Sequence, residues 1–234
     1  MALSPSSVGV FSSWFRLDDD TAFFRALFGI TGPSLEFSMG FYSNSYRVKL
    51  LITSPFFQGF DIITSSFVEA APTSDLSNLL VSWDMTGISP VVQMYLNDIP
   101  DINVLFSFGS GVLFPWQFID TIRAFAEVPS IQATSVWNGC CAQIYLNTEE
   151  YLDFDNVTNR RKFIDAAGDM VSLGANGEVP TGTSPSYYFT GNSVTFPTNQ
   201  GMEQAVTLFG TFVDCPPIPG SVFTSGGGGY LTSL

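Results

Sequence analysis

The residues whose types and spacing could do chemistry in this chain are chiefly carboxylates and aromatic rings. The 234 residues hold 21 Asp and Glu, eight Lys and Arg and no His, for a formal charge of −13 at pH 7. The missing His removes Ser-His-Asp and Cys-His catalysis, His-ligated zinc and the usual near-neutral proton shuttle. Two acidic clusters remain, Asp18, Asp19 and Asp20 in one and Asp153 and Asp155 in the other, with the adjacent pair Glu149 and Glu150 just before the second. Hard cations such as calcium take several oxygen ligands from loops. That makes Asp18, Asp19 and Asp20 the candidate calcium ligands, against the plainer reading of a solvated turn whose carboxylates accept backbone N–H groups. No other cofactor is implied. Glycoside hydrolysis needs two carboxylates, about 5–5.5 Å apart for retention or roughly 6.5–9.5 Å for inversion. A strand would supply them as E-x-D-x-E, alternate residues sharing a face, and that pattern does not occur.

Among the four Trp, Trp116 and Trp137 flank a long irregular stretch and are the candidates for contact with a glycan or a protein partner. Trp83 lies in a strand-like run and reads as core. "GANG" (174–177) and "GGGG" (226–229) neither precede a Lys nor open a helix after a strand. They are turn chemistry and not a phosphate cradle. Cys140 and Cys141 are adjacent and Cys215 is remote, which is not a disulfide framework. Neighbouring strand residues face opposite ways, so buried thiols made in a reducing cytosol are expected.

The elements that must carry these residues are short strands. Up to residue 147, β-like runs recur between turn signals, among them "VGVFSSWFRL", "LEFSMGFY", "YRVKLLITS", "NLLVSWDM", "VVQMYLND" and "CCAQIYL". In "YRVKL", Tyr46, Val48 and Leu50 share one face and Arg47 and Lys49 the other. Many short strands with almost no helical period predict an all-β antiparallel sandwich of the jelly-roll type over 1–147. Residues 148–214 read as a small C-terminal module of turns and short strands ("YYFTG", "SVTFPTN", "QAVTLFGTFVD") around one helix. That helix is expected over about 156–167, with Asp155 or Asn156 as its cap and Gly168 at its left-handed end. Residues 215–234 are a Gly- and Pro-rich tail that cannot build a core alone; it is expected to be disordered or to lie along a neighbouring surface.

Charged residues are only 12% of the chain, about half the usual share, which suits a surface packed against neighbours. The acidic balance argues against nucleic acid, which needs clustered Lys and Arg. No run reads as a signal peptide or a spanning helix. Arg160, Arg161 and Lys162 are the one concentration of positive charge. On a helical wheel Arg160 falls at the centre of the apolar face, Arg161 on its flank and Lys162 outward. An inward Arg needs a carboxylate. Arg160 is therefore expected to clamp the module through Asp153, Asp155 or Glu150, with Arg161 sharing Asp165 and Lys162 solvated. The rival reading is a patch for an acidic partner.

Two stretches carry a resemblance. "FSSWFRLDDD", "LEFSMGF", "YRVKLLI" and "NLLVSWDMTGISPVVQMYLND" are together similar to the laminin-G-like (concanavalin A-like lectin/glucanase) jelly roll. Trp83, Asp84, Tyr95 and Asn97 stand in that family's "vsWD" and "lYvNG" pattern, and Asp98 stands where Gly is common. "NGCCAQIYLNTEEYLDF" resembles the strand that closes such domains. "NRRKFIDAAGDMVSLGANGEVPTGTSPSYYFTG" (159–191) resembles a segment that follows laminin-G-like domains in tailed-bacteriophage virion proteins. The resemblance implies a non-enzymatic structural component of the virion, assembled in the host cytoplasm: a capsid decoration, a head spike or a tail-associated protein. Its implied partners are other virion proteins and further copies of itself. The alternative it carries is a glycan-binding adhesin on the same sandwich, with calcium at a rim; a glycoside hydrolase is the remote one.

Overall fold

A computed structural model of the chain describes residues 5–17, 25–32, 35–42, 47–53, 60–63, 76–107, 114, 121–124, 139–202, 212–214 and 229–231. Fourteen strands and one helical turn are described. They are β1 (Val8–Leu17), β2 (Arg25–Gly32), β3 (Leu35–Tyr42), β4 (Arg47–Thr53), β5 (Phe60–Ile63), β6 (Ser77–Asp84), β7 (Val91–Leu96), β8 (Ile99–Pro100), β9 (Asn103–Ser107), β10 (Thr121–Ala124), β11 (Gly139–Asn147), α1 (Val157–Arg160), β12 (Tyr187–Thr190), β13 (Phe212–Asp214) and β14 (Gly229–Leu231). They form two antiparallel sheets, β13-β14-β11-β1-β6-β7-β8 with β12 also on β11, and β10-β2-β3-β4-β5-β9. The fold is an all-β antiparallel sandwich.

The two sheets meet through aromatic rings. Phe11 of β1 stacks on Phe28 of β2 at 6.4 Å between ring centroids, and Phe28 meets Phe189 of β12 at 5.9 Å. Trp83 is buried in β6, as its strand context predicted. The first sheet is covered on its other face as well. All nine residues of β11 are buried, which is the mark of a strand packed on both faces. The second cover is the segment 148–202. Its Phe154, Phe163, Ile164 and Leu173 share a core with Val10, Trp14, Leu80, Tyr95 and Tyr145 of the sheet. Tyr145 meets Phe163 edge-on at 5.3 Å, and Phe163 meets Phe154 at 5.9 Å. The end of β11 at Asn147 is therefore a change of texture and not a break in packing.

After residue 147 the structure differs from the sequence expectation in several places. The helix is one turn, Val157–Arg160, capped by the Asn156 side chain, which accepts from the Thr158 N–H at 3.0 Å. It stops because Asp165 offers the backbone another partner. The Asp165 Oδ1 accepts from the N–H groups of Ala167 and Asp169, each at 2.8 Å, and Ile164 pairs with Met170 in a β-bridge. Such local side-chain bonds compete with helix. Gly168 is left-handed, at φ 90°, in this turn and not at a helix end. "SVTFPTN" is a set of turns held by Asn192, whose Oδ1 accepts from the N–H groups of Val194 and Thr195. Gly229–Leu231, inside the stretch read as a coreless tail, forms β14: Tyr230 pairs with Cys140 and Gly229 with Cys141. The edge of β11 opposite β1 has unpaired backbone groups to satisfy. β12 takes its Gln143–Leu146 part and β14 the part before it.

Candidate functional site

The site with the densest polar geometry is the junction of cap and sheet. It starts from a hairpin turn. β7 and β8 are joined by Asn97 and Asp98, both with positive φ, 51° and 65°. Two left-handed central residues define the turn that suits the sheet's twist, and Asn-Gly is its usual sequence. Asn97 is well placed there: its Oδ1 accepts from the Asn78 N–H at 2.7 Å. An Asp at the second position carries a backbone cost that Gly would not.

The carboxylate of Asp98 is what that cost supports. Its Oδ1 accepts from Arg160 Nε at 2.6 Å, and its Oδ2 accepts from Arg161 Nη2 at 2.7 Å. One carboxylate thus binds two consecutive guanidinium groups. Arg160 also donates through Nη1 to the main-chain oxygen of Phe154 and, at 3.5 Å, to that of Asp155. Its Cζ lies 4.5 Å from the centroid of the Tyr95 ring, within cation–π reach. The Arg160 side chain is 13% exposed and that of Asp98 is 23% exposed, so the pair is only partly screened by water. Burial alone would push the Asp98 carboxyl up. Hydrogen bonds from Arg161 and Arg160, and their charges, outweigh it and hold the group below its ordinary value. The same contact raises Arg161.

A second layer lies beside the clamp. The Tyr95 hydroxyl donates to Asp155 Oδ1 at 2.7 Å. Burial first, and then that bond, push the Tyr95 phenol up to about 12. Gln93 donates to Asp153 Oδ1 at 2.8 Å, and its Oε1 accepts from Ser82, Tyr151 and the Phe154 N–H. Strand β7 therefore offers Gln93 and Tyr95, alternate residues on one face, to the segment entering the cap.

The expected acids are thus corrected. Asp153 and Asp155 do lie at the junction, but their carboxylates serve Gln93 and Tyr95, and the arginines go to Asp98. Arg161 pairs with Asp98 and not with Asp165. Lys162 is half-buried, its Nζ donating to the Pro180 carbonyl at 2.8 Å. The wheel holds for Arg160, which faces inward on a carboxylate, and misplaces Lys162, whose side chain reaches the Pro180 carbonyl and not solvent. The signal that could have found Asp98 was its departure from Asn-Gly at a hairpin turn. Asp18, Asp19, Asp20, Trp116 and Trp137 lie outside the described residues, as does Cys215.

Chemically the junction fastens one segment to another. The carboxylates of Asp98, Asp153 and Asp155 are each engaged as acceptors. Among the described residues no three His, Cys, Asp or Glu converge as metal ligands, and no helix is long and apolar enough to cross a membrane. Cys140 and Cys141 are buried and unbridged. Burial pushes the Cys141 thiol well up, beyond what its bonds to Ser13 and Gln143 offset.

No family model and no curated protein matches this chain. Among solved structures, a native heptameric SAP-like pentraxin from Limulus polyphemus is similar at 11% identity and a TM-score of 0.48, over 68% of this chain and 71% of that one.

Proposed function

We propose that this chain is a non-enzymatic structural component of a tailed-phage particle, a capsid decoration, head spike or tail-associated protein that works through protein–protein contacts. The observation that carries the reading is the build of segment 159–191, the stretch whose sequence resembles phage virion proteins. Its three cations are all engaged inside the chain: Arg160 and Arg161 on Asp98, and Lys162 on Pro180. A segment built this way fastens; it does not present charge to a substrate. The carboxylates beside it are acceptors in the same junction, which fits a protein without an acid/base pair.

Contact with neighbours is supported by the edge of the first sheet. Ile88, in the turn before β7, is 95% exposed, and Ile99 of β8 is 65% exposed. Apolar side chains beside an edge strand suit a protein that packs against others. The test is to purify particles, identify their proteins by mass spectrometry and place this chain in an intact-particle reconstruction. Density for the sandwich on the particle is the expected result. A chain absent from particles and monomeric in solution overturns it; a glycan array then decides for or against the adhesin reading.

A further inference from the structure

Beneath the cap, the first sheet carries a row of polar side chains. Trp14 of β1 pairs across the ladder with Gln143 of β11 on one side and with Asn78 of β6 on the other. Directly paired residues of an antiparallel sheet share a face, so the three form one row over three strands. Ser12, two residues along β1, lies on the same face in the next row. Trp14 belongs to the core that also contains Ile164 and Leu173 of the cap, so this face lies at the seam between sheet and cap.

All four residues are almost fully buried, at 0% for Ser12 and Asn78 and 2% for Trp14 and Gln143. Each has a polar atom that no described residue satisfies: Ser12 Oγ, Trp14 Nε1, Asn78 Oδ1 and Gln143 Oε1. The other ends of the two amides are engaged. Asn78 Nδ2 donates to the Ser13 carbonyl at 3.4 Å, and Gln143 Nε2 donates to the Tyr188 hydroxyl at 3.5 Å. These bonds orient both amides, leaving their oxygens over. An unmatched buried polar group costs about 1–3 kcal/mol, and native proteins rarely leave several side by side.

The leftover set is complementary through a third party. It holds one obligatory donor, the Trp14 N–H; two obligatory acceptors, Asn78 Oδ1 and Gln143 Oε1; and one hydroxyl that can do either. We infer that this seam is an internal hydration site, in which buried water accepts from Trp14 Nε1 and donates to the Asn78 and Gln143 oxygens, with Ser12 completing its shell. A buried water typically makes about three hydrogen bonds, and this row holds a donor and acceptors of the matching polarity. A charged ligand does not fit, because none of the four atoms carries charge. The cap is thus seated on the sheet partly through water, beside the dry aromatic contacts of Phe154 and Phe163.

The test uses the full chain. A crystal structure that orders internal water is expected to place one within hydrogen-bond reach of Trp14 Nε1 and of Asn78 Oδ1 or Gln143 Oε1. In solution, the Trp14 indole N–H, assigned by its loss in Trp14→Phe, is expected to show a direct NOE to long-lived water. Gln143→Met, similar in length and without an acceptor, is expected to weaken that NOE at least twofold while the chain stays folded by circular dichroism. A dry seam, a protein acceptor on Trp14 Nε1, or no NOE to water in the native chain overturns the inference. An NOE unchanged in Gln143→Met overturns the part assigned to Gln143.

Discussion

The Arg160 guanidinium carbon sits 4.5 Å from the Tyr95 ring centroid, while the hydroxyl of the same ring donates to Asp155 2.7 Å away. One side chain of the sheet therefore touches the cap's cation with its face and the cap's entry with its tip. Tyr95→Phe keeps the ring and loses the hydroxyl; it is expected to cost about 1 kcal/mol. Tyr95→Leu also loses the cation–π contact and the edge-on packing on Phe154, and is expected to cost about 2–3 kcal/mol. Urea unfolding measures both. Equal costs would remove the ring's face from the account.

Asp98 carries two opposing effects that mutation separates. Asp98→Ala removes the acceptor of both arginines and keeps a Cβ at positive φ. The expected loss is about 2 kcal/mol, discounted for partial exposure. Asp98→Gly loses the same bonds but relieves the backbone, so it is expected to be about 1 kcal/mol more stable than the Ala variant. If Ala and Gly are indistinguishable in chemical denaturation, the turn at Asp98 is not under strain.

The clamp has a pH signature. The Asp98 carboxyl is held below its ordinary value in the folded chain, against about 3.9 unfolded. A group depressed by folding contributes stability that is fully present above its unfolded value and is lost as pH falls through its folded one. The stability gap between the native chain and Asp98→Asn is therefore expected to be flat from about pH 7 to 5 and to close below about pH 4. Urea titrations of the two proteins across that range measure it, and a gap that widens on acidification would refute the assignment.

Gly9 is a test of close packing between β1 and β6. A Cβ built on it would lie 2.1 Å from Cζ2 of the fully buried Trp83. Gly9→Ala is expected to destabilise by about 3 kcal/mol, because the indole has no room to yield. A thermal shift near zero would mean that the Trp83 pocket is looser than described.

The thiols give a chemical test of the doubly covered sheet. Cys140 and Cys141 are expected to resist a thiol reagent in the native chain and to react on unfolding, so denaturant should release two further equivalents. Their labelling at native rates would show that one cover of β11 opens easily.

The sequence made the strands of the first sheet legible because their alternation and turns are local. "NLLVSWDM" and "VVQMYLND" became β6 and β7, and "CCAQIYL" lies within β11. Less local features were not legible. Thr121–Ala124 forms β10 only by pairing with β2, inside a stretch that reads as irregular. The clamp was legible as a need, since an inward Arg requires a carboxylate. The expected acids, Asp153, Asp155 and Glu150, are near in the chain, whereas Asp98 lies 62 residues before Arg160. The apolar pattern suits a longer helix, while the local Asp165 turn competes with it and ends it.

The placement of β11 bears on how the molecule can be made. Ser13 of β1 bonds to Gln143 of β11 across 130 residues of chain, and the opposite edge of β11 is filled by β12 and β14, from near residues 190 and 230. High sequence separation slows folding, because loop-closure entropy comes before the contacts that offset it. On a ribosome adding about 5–20 residues per second, β1 would wait several seconds for its partner. The edge of β11 would then stay bare at Gln143–Leu146 until β12 emerges, and at Cys140 and Cys141 until β14 does. β11 is thus the strand a chaperone would have most reason to shield.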